Sequence, residues 1–344
     1  MKPPITLLLL LSITCLSVNL FSQTNVGQKT VMYQDSLRNR PLKTEIWYPT
    51  NDSITQNNNA TASLPFILKP TVRNGSFVNK KFPLILLSHG SGGNRLSLAW
   101  LAYNLVKNGF VVIGVDHWGN TYDNKIPDQF VKAWERPQDI SFVLTRLLKD
   151  TLYKKNIDEK RIGVAGFSLG GYTVIALAGA QLDVNLLLKF ADTPQGRKEG
   201  TTAEYGDLTK LMRESSVEES FKHCPDLKDN RIKAFFAIAP AIGQGFGSEK
   251  QMERITNPIF ILGLEGDNVT PIKTNALHYH TLIKNSSYQL ITGKAGHYSI
   301  LNEAKDELLR EAKVYYKDAK GVSRATIHDD ISQFAIGFFQ KTLQ

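Results

Sequence analysis

Cysteine is nearly absent from this 344-residue chain, which holds only Cys15 and Cys224. A disulfide-rich scaffold and a four-cysteine zinc site are thereby excluded. Long apolar runs are equally scarce: after the stretch Ile5 to Phe21 none returns, so no later segment reads as a membrane span. Basic tracts are missing too. The 41 Lys and Arg against 32 Asp and Glu give a formal charge of +9, but these residues are scattered among opposite charges, as on a solvated surface. Nucleic-acid binding is therefore not expected, and attachment to an anionic surface would have to show steep salt dependence. There is no internal repeat. With 42% hydrophobic and 21% charged residues, 25 Gly and 14 Pro, collagen-like, coiled-coil and largely disordered chains are excluded as well.

Lys2 precedes the apolar stretch Ile5 to Phe21, and Ser22, Gln23 and Thr24 follow it. A basic start, a short apolar run and a small residue at its end predict a secretory signal peptide over residues 1–22, cleaved near Ser22. An uncleaved anchor is disfavoured by Ser12, Thr14, Ser17 and Asn19, and lipidation of Cys15 by Thr14 before it. The expectation is a secreted or periplasmic protein with no stable membrane span, whose remaining Cys224 has no internal partner.

Residues 23–80 read as N-terminal strands, with a hairpin pattern from Val26 to Thr50, followed by an exposed Asn-, Thr- and Ser-rich loop at 51–64. From residue 81 onwards strands and helices alternate. The runs Phe82–Ser88, Phe110–Val115, Ile162–Ala165, Ala234–Ala239 and Pro258–Leu264 are apolar and of strand length, and Ser287–Thr292 is a further strand candidate. Between them lie helical patterns: one with Leu98, Leu101, Ala102 and Leu105 on a face, one opened by Pro137, one over Leu169–Ala180 and one near Pro271–Ile283. A last helix carries Ile327, Ile331, Phe334 and Phe338 on one side. Fully apolar strands alternating with helices predict an α/β protein with a mostly parallel central sheet covered on both faces. Residues 183–230 and 301–324 interrupt the alternation and are expected as cap-like insertions in a core spanning 81–344.

The sharpest motif is Gly166-Phe167-Ser168-Leu169-Gly170-Gly171. Gly-x-Ser-x-Gly arises by chance in about one chain in ten of this length at ordinary Gly and Ser frequencies, so its context decides. Ser168 follows an apolar strand directly and opens a helix, as a nucleophile elbow requires. A serine hydroxyl needs a base, and the base an orienting acid. Asp267 stands just past the strand Pro258–Leu264, and His297 just past the next strand. The chain order Ser, acid, His is that of the elbow-type hydrolytic enzymes. Glu265 is the rival acid, nearer the strand and without the turn leading to Pro271. Among the seven histidines, His328 falls in the apolar pattern of the last helix. His278 and His280 are two apart on a helix, and His223 lies in the cap-like stretch. His297 alone follows the strand the chemistry needs. Two backbone donors are expected for the oxyanion: Leu169 N–H at the helix start, and Ser91 or Gly92 N–H in Ser88-His89-Gly90-Ser91-Gly92-Gly93. His89 is expected to brace that loop, and Asp116-His117-Trp118-Gly119-Asn120 to form a turn or line the cleft. No phosphate-loop or metal-ligand spacing occurs, so no cofactor and no metal are expected.

On these residues, together with Ile46-Trp47-Tyr48-Pro49 and Arg161 to Gly171, the chain resembles the α/β-hydrolases. More narrowly it resembles the predicted dienelactone hydrolase and platelet-activating factor acetylhydrolase-like group, from about Val26 to Phe339. The resemblance implies Ser168 as nucleophile, Asp267 as acid and His297 as base. Two departures narrow it: dienelactone hydrolases use a Cys where this chain has Ser168, and the acetylhydrolase acid follows an earlier strand, where this chain reads Ala239-Pro240-Ala241-Ile242. The expected activity is cleavage of a small-molecule or lipid carboxylic ester through an acyl-enzyme. Amide cleavage, acyl transfer and a non-catalytic binding role on the same fold are the alternatives.

Overall fold

The computed structural model describes residues 24–344. The expected leader over 1–22 and Cys15 lie outside the described residues. The chain opens with two long strands, β1 (Asn25–Asp35) and β2 (Arg40–Thr50), paired antiparallel as a hairpin, and a two-residue strand β3 (Val72–Arg73). There follow β4 (Phe82–Ser88), α1 (Ala99–Lys107), β5 (Val111–Val115), α2 (Glu135–Lys149), α3 (Thr151–Lys154), β6 (Ile157–Phe167) and α4 (Leu169–Ala178). An insertion then carries α5 (Val184–Ala191), α6 (Pro194–Glu199), a small hairpin of β7 (Thr201–Thr202) and β8 (Gly206–Asp207), and α7 (Ser215–Lys222). The sheet resumes with β9 (Ala234–Ile238), β10 (Ile259–Leu264), α8 (Ala276–Leu282) and β11 (Ser286–Ile291). Two short helices, α9 (Asp306–Glu311) and α10 (Lys313–Tyr316), precede the closing helix α11 (Arg324–Thr342).

Among the described residues the main sheet has nine strands in the order β11-β10-β9-β6-β4-β5-β2-β1-β3. The pairings from β11 through β5 are all parallel, and β2 joins β5 and β1 antiparallel. The strands alternate sides as the two-residue period demands. Leu84 and Leu86 face one apolar core with α2, α4 and α8, while Ile85 and Leu87 face the other with α1 and α11. After β4 the chain adds β5 on one side and then β6 on the other. The sheet order therefore reverses at the carboxyl ends of β4 and β6, where open α/β sheets bind ligands.

Three boundaries differ from the sequence expectation. Helix α2 starts at Glu135, so Pro137 is its third residue and not its first. The missing N–H of Pro137 is still one of the four that lack an intrahelical acceptor, so the position costs nothing. Strand β6 starts at Ile157, before the polar residues Asp158 to Arg161 that mask it in the sequence. The helical pattern at Pro271–Ile283 begins as a turn, and α8 proper starts at Ala276.

Candidate active site

Strand β6 ends at Phe167 and α4 begins at Leu169, leaving one residue for the reversal. That residue, Ser168, has φ 57° and ψ −119°, a conformation L-residues avoid unless the surroundings impose it. The imposition is visible. Ser168 N–H donates to Ile238 O at 2.9 Å, and its carbonyl accepts from Gly171, Tyr172 and Ala241 N–H at 2.8, 3.2 and 3.0 Å. A Cβ at Gly170 would overlap the carbonyl oxygen of Ser88 at the end of β4, and one at Gly166 the carbonyl of Gly170. Only glycines allow the two strand ends and the helix start to meet this closely.

His297 opens a short 3-10 turn (His297–Ile300) after β11, and Asp267 follows β10. His297 Nε2 lies 2.9 Å from Ser168 Oγ, and His297 Nδ1 lies 2.7 Å from Asp267 Oδ2. Thr270 Oγ1 donates to the same carboxylate oxygen at 2.8 Å, while Val269 and Thr270 N–H hold Oδ1 at 2.9 and 2.8 Å. Burial alone would push the Asp267 carboxyl up. The adjoining His297, with the Thr270 N–H and hydroxyl, outweighs it and takes the carboxyl below its ordinary value. With Asp267 ionised, Nδ1 carries the proton and Nε2 is the acceptor facing the Ser168 hydroxyl, an assignment that rests on this network. Glu265, the rival acid, is exposed and accepts from Gly293 N–H instead.

The loop after β4 supplies the next set of groups. Leu169 is the first residue of α4, so its N–H has no acceptor within the helix. In the facing loop Gly92 N–H donates to Asn120 Oδ1 at 2.9 Å and Gly93 N–H to Gly90 O at 3.2 Å. The expectation that Gly92 serves as an oxyanion donor is corrected by that bond, because the side-chain amide of Asn120 already takes its hydrogen. Ser91 N–H donates to no acceptor among the described residues, so it is the free donor of the pair. The Asp116–Asn120 segment braces this loop and does not line the cleft: Asp116 accepts from Arg95 N–H and Nη1 at 2.5 and 2.9 Å.

Ser168 and His297 lie in the wall of a cavity of about 590 Å³. Its lining is mainly apolar and is drawn from both insertions: Leu187 and Phe190 of α5, and Tyr315 and Tyr316 of α10, with Phe130 and Trp134 before α2. Glu204, between β7 and β8, reaches across to the segment that carries His297. Its carboxylate accepts from Tyr298 Oη at 3.0 Å, its backbone carbonyl from Lys125 Nζ at 3.1 Å, and its side chain packs on Gly92. Burial first, then the charge of Glu204, push the Tyr298 phenol up, so it stays protonated and donates. Among the described residues no group of three or more His, Cys, Asp or Glu side chains is placed to hold a metal ion. No helix among them is long and apolar enough to cross a membrane.

Four of the other six histidines have local partners. His328 stacks on Trp100 with ring centroids 4.1 Å apart, His278 meets Phe246 O, His280 meets Ser286 Oγ and the exposed His223 meets Glu219. Sequence reasoning missed Thr270, Glu204 and Tyr298. It also missed the burial of Arg136 and Asp139, although both fall on the apolar stripe of α2, where a charged residue is itself a signal.

No family model matches the chain. A 108-residue stretch, 31% of the chain, is 32% identical to the cutinase est2 of Thermobifida alba and spans 33% of that protein. The cutinase cut1 of Thermobifida fusca is 30% identical over 108 residues, 31% of either chain. The chain thus spans about a third of the length of the known relatives it matches. The solved structure of a ferulic acid esterase from Streptomyces cinnamoneus superposes with a TM-score of 0.59 and 18% identity, over 93% of this chain and 90% of that one. Together with the sheet order and the strand–serine–helix turn, this likeness defines the chain as having the α/β-hydrolase fold.

Proposed function

We propose that this chain is an exported serine esterase that cleaves carboxylic esters through an acyl-enzyme. The observation that carries the reading is the unbroken series Ser168 Oγ, His297 and Asp267, with contacts of 2.9 and 2.7 Å, opening onto an apolar cavity. Ser168 Oγ attacks the acyl carbon while His297 Nε2 takes its proton. The negative charge that forms on the carbonyl oxygen is met by Leu169 N–H and Ser91 N–H. Collapse expels the alcohol oxygen, which recovers the proton from Nε2. Water then repeats the sequence to release the acid, and Asp267 stabilises the imidazolium in both halves. The names of the cutinase and ferulic acid esterase relatives support ester chemistry. The dienelactone hydrolase and acetylhydrolase-like grouping is part of the same reading, and Lys2 with the apolar Ile5–Phe21 stretch supports export.

The cavity supports an uncharged ester with an apolar acyl group of modest length. Leu187, Phe190, Phe130 and Trp134 offer apolar surface, while Glu199 and Glu204 in its lining outnumber the cation Lys125 and so disfavour an anionic substrate. The test is labelling of the purified protein by a fluorophosphonate beside Ser168→Ala, with turnover of p-nitrophenyl acetate, butyrate and octanoate. Labelling and turnover are expected in the wild type and lost in Ser168→Ala. A folded wild type that takes no label refutes the catalytic reading.

A further inference from the structure

A second series of hydroxyl, imidazole and carboxylate lies under the loop that follows β4. His117 Nε2 is 2.9 Å from Ser88 Oγ, and His117 Nδ1 is 3.0 Å from Asp139 Oδ2. All three residues are 0% exposed. No substrate can reach them, so this series does no chemistry on an ester. Its surroundings are equally specific. Arg40 grips Asp139 with both ends of its guanidinium, Nε to Oδ1 at 2.8 Å and Nη2 to Oδ2 at 2.7 Å, and Arg38 Nη2 stands 2.9 Å from Oδ1. The carboxylate so held fixes the proton on Nδ1 of His117, which leaves Nε2 to accept from the Ser88 hydroxyl.

We infer that Ser88, His117 and Asp139 are positioning residues that set the distance between the two oxyanion donors, Ser91 N–H and Leu169 N–H; this rests on the serine-esterase reading above. Ser88 is where the two donors are mechanically joined. Its carbonyl packs against Gly170 in the first turn of α4, next to Leu169, and three residues further on its loop presents Ser91. The hydroxyl of Ser88 is the handle by which His117 holds that junction. The same histidine reaches the next residue as well: His117 N–H donates to His89 Nε2 at 3.2 Å, and His89 Nδ1 donates to Gly90 O at 2.6 Å. Arg136 Nη2, also buried, donates to His89 O. The backbone from Ser88 to Gly90 is thus held from below at three successive residues, immediately before Ser91. Oxyanion stabilisation depends on donors placed beforehand, since a donor that must move at the moment of reaction gives back part of its effect.

The test is Ser88→Ala, which removes one oxygen and adds no volume, measured beside the wild type. Melting temperature and the end-point stoichiometry of fluorophosphonate labelling establish folding and an intact Ser168. kcat and KM are then compared with the inhibition constant of a trifluoromethyl ketone, whose adduct carries the oxyanion. The expected result is one label per chain and KM within about twofold. kcat should fall, and the ketone should weaken, by roughly tenfold, a part of the 10²–10³ lost when an oxyanion donor is removed outright. Unchanged kcat and ketone affinity in a fully labelled variant overturns the inference and leaves the esterase reading standing. A rise in KM alone also overturns it, since that assigns the series to general packing. If Ser88→Ala does not fold, His117→Gln, which keeps an acceptor for the Ser88 hydroxyl, is read in the same way. Failure of both to fold assigns the series to stability alone. A wild type that takes no label removes both readings together.

Discussion

Acidification from pH 7 should unfold this protein in a window set by three buried histidines. His89, His117 and His328 are 2%, 0% and 5% exposed. For His117 and His328 burial, followed by the adjacent charges of Arg136 and Arg324, pushes the imidazole down to about 3. Burial, then Arg136, places His89 well below its ordinary value too. All three are therefore neutral in the fold and protonated near pH 6.5 once unfolded. Below that pH the unfolded chain binds more protons than the folded one, so stability falls as pH falls and continues to fall towards pH 3. Each histidine contributes a slope approaching 1.4 kcal/mol per pH unit, so the three remove about 4 kcal/mol between pH 6 and pH 5. That is a large part of a typical total of roughly 5–15 kcal/mol. Urea unfolding at pH 7, 6 and 5, with potentiometric proton uptake on unfolding, measures the effect directly. His328→Phe, which keeps a ring to stack on Trp100, should lower the uptake near pH 5 by about one proton. Uptake below one proton per chain at pH 5, or a midpoint that does not move between pH 6 and pH 5, would refute the reasoning.

Three further perturbations test the site. Asp267→Asn places an amide opposite His297 Nδ1, which must then accept, so Nε2 carries the proton and cannot take one from Ser168. kcat for p-nitrophenyl butyrate should fall by about 10⁴, and a loss of less than tenfold would exclude the role given to Asp267. Gly170→Ala drives a methyl into the Ser88 carbonyl. Overpacking of this kind costs about 1–3 kcal/mol, seen as a lower urea midpoint together with reduced kcat, although alanine is the better helix former. Glu204→Ala removes the acceptor of the Tyr298 hydroxyl, a bond worth about 1 kcal/mol. KM for the octanoate ester should rise about fivefold if that contact holds the insertion over the cavity; an unchanged KM would show that it does not.

Most of the fold was legible because its strands are buried on both faces and read as unbroken apolar runs, Phe82–Ser88 and Ala234–Ile238 above all. The strand–Ser168–helix turn, and Asp267 just past its strand, were visible for the same reason, each at the end of an apolar run, whereas His297 follows the mixed-polarity edge strand β11 and was legible from chain order. What stayed hidden lacks such a run. The start of β6 at Ile157 is masked by the polar Asp158–Arg161. The insertion helices are short, and their apolar residues face a cavity where a larger protein would have a core. The bond from Gly92 N–H to Asn120 joins residues 28 apart. No local pattern encodes it, and it decides which of two neighbouring amides is free.

The two serine–histidine–aspartate series in this molecule have nearly the same hydrogen-bond lengths, so geometry within the series does not distinguish the proposed nucleophile series from the enclosed one. Two other differences do. The first is the backbone: Ser168 is held at φ 57° on a turn that lifts its hydroxyl into the cavity, whereas Ser88 is the last residue of a central strand and is fully enclosed. The second is the electrostatic setting of the carboxylate. Asp139 is matched by the guanidinium groups of Arg40 and Arg38, and His117 feels Arg136 as well, so a proton arriving on His117 would find its stabilising charge already neutralised. Asp267 is held only by neutral donors, the Val269 and Thr270 N–H groups and the Thr270 hydroxyl, besides His297 itself. Its whole charge is therefore available to His297 in the imidazolium that the proposed mechanism requires. On the proposed reading, the same three residue types act as a base where the carboxylate is uncompensated and the serine has access, and as a rigid support where arginines have taken the carboxylate and the strand has closed over the serine.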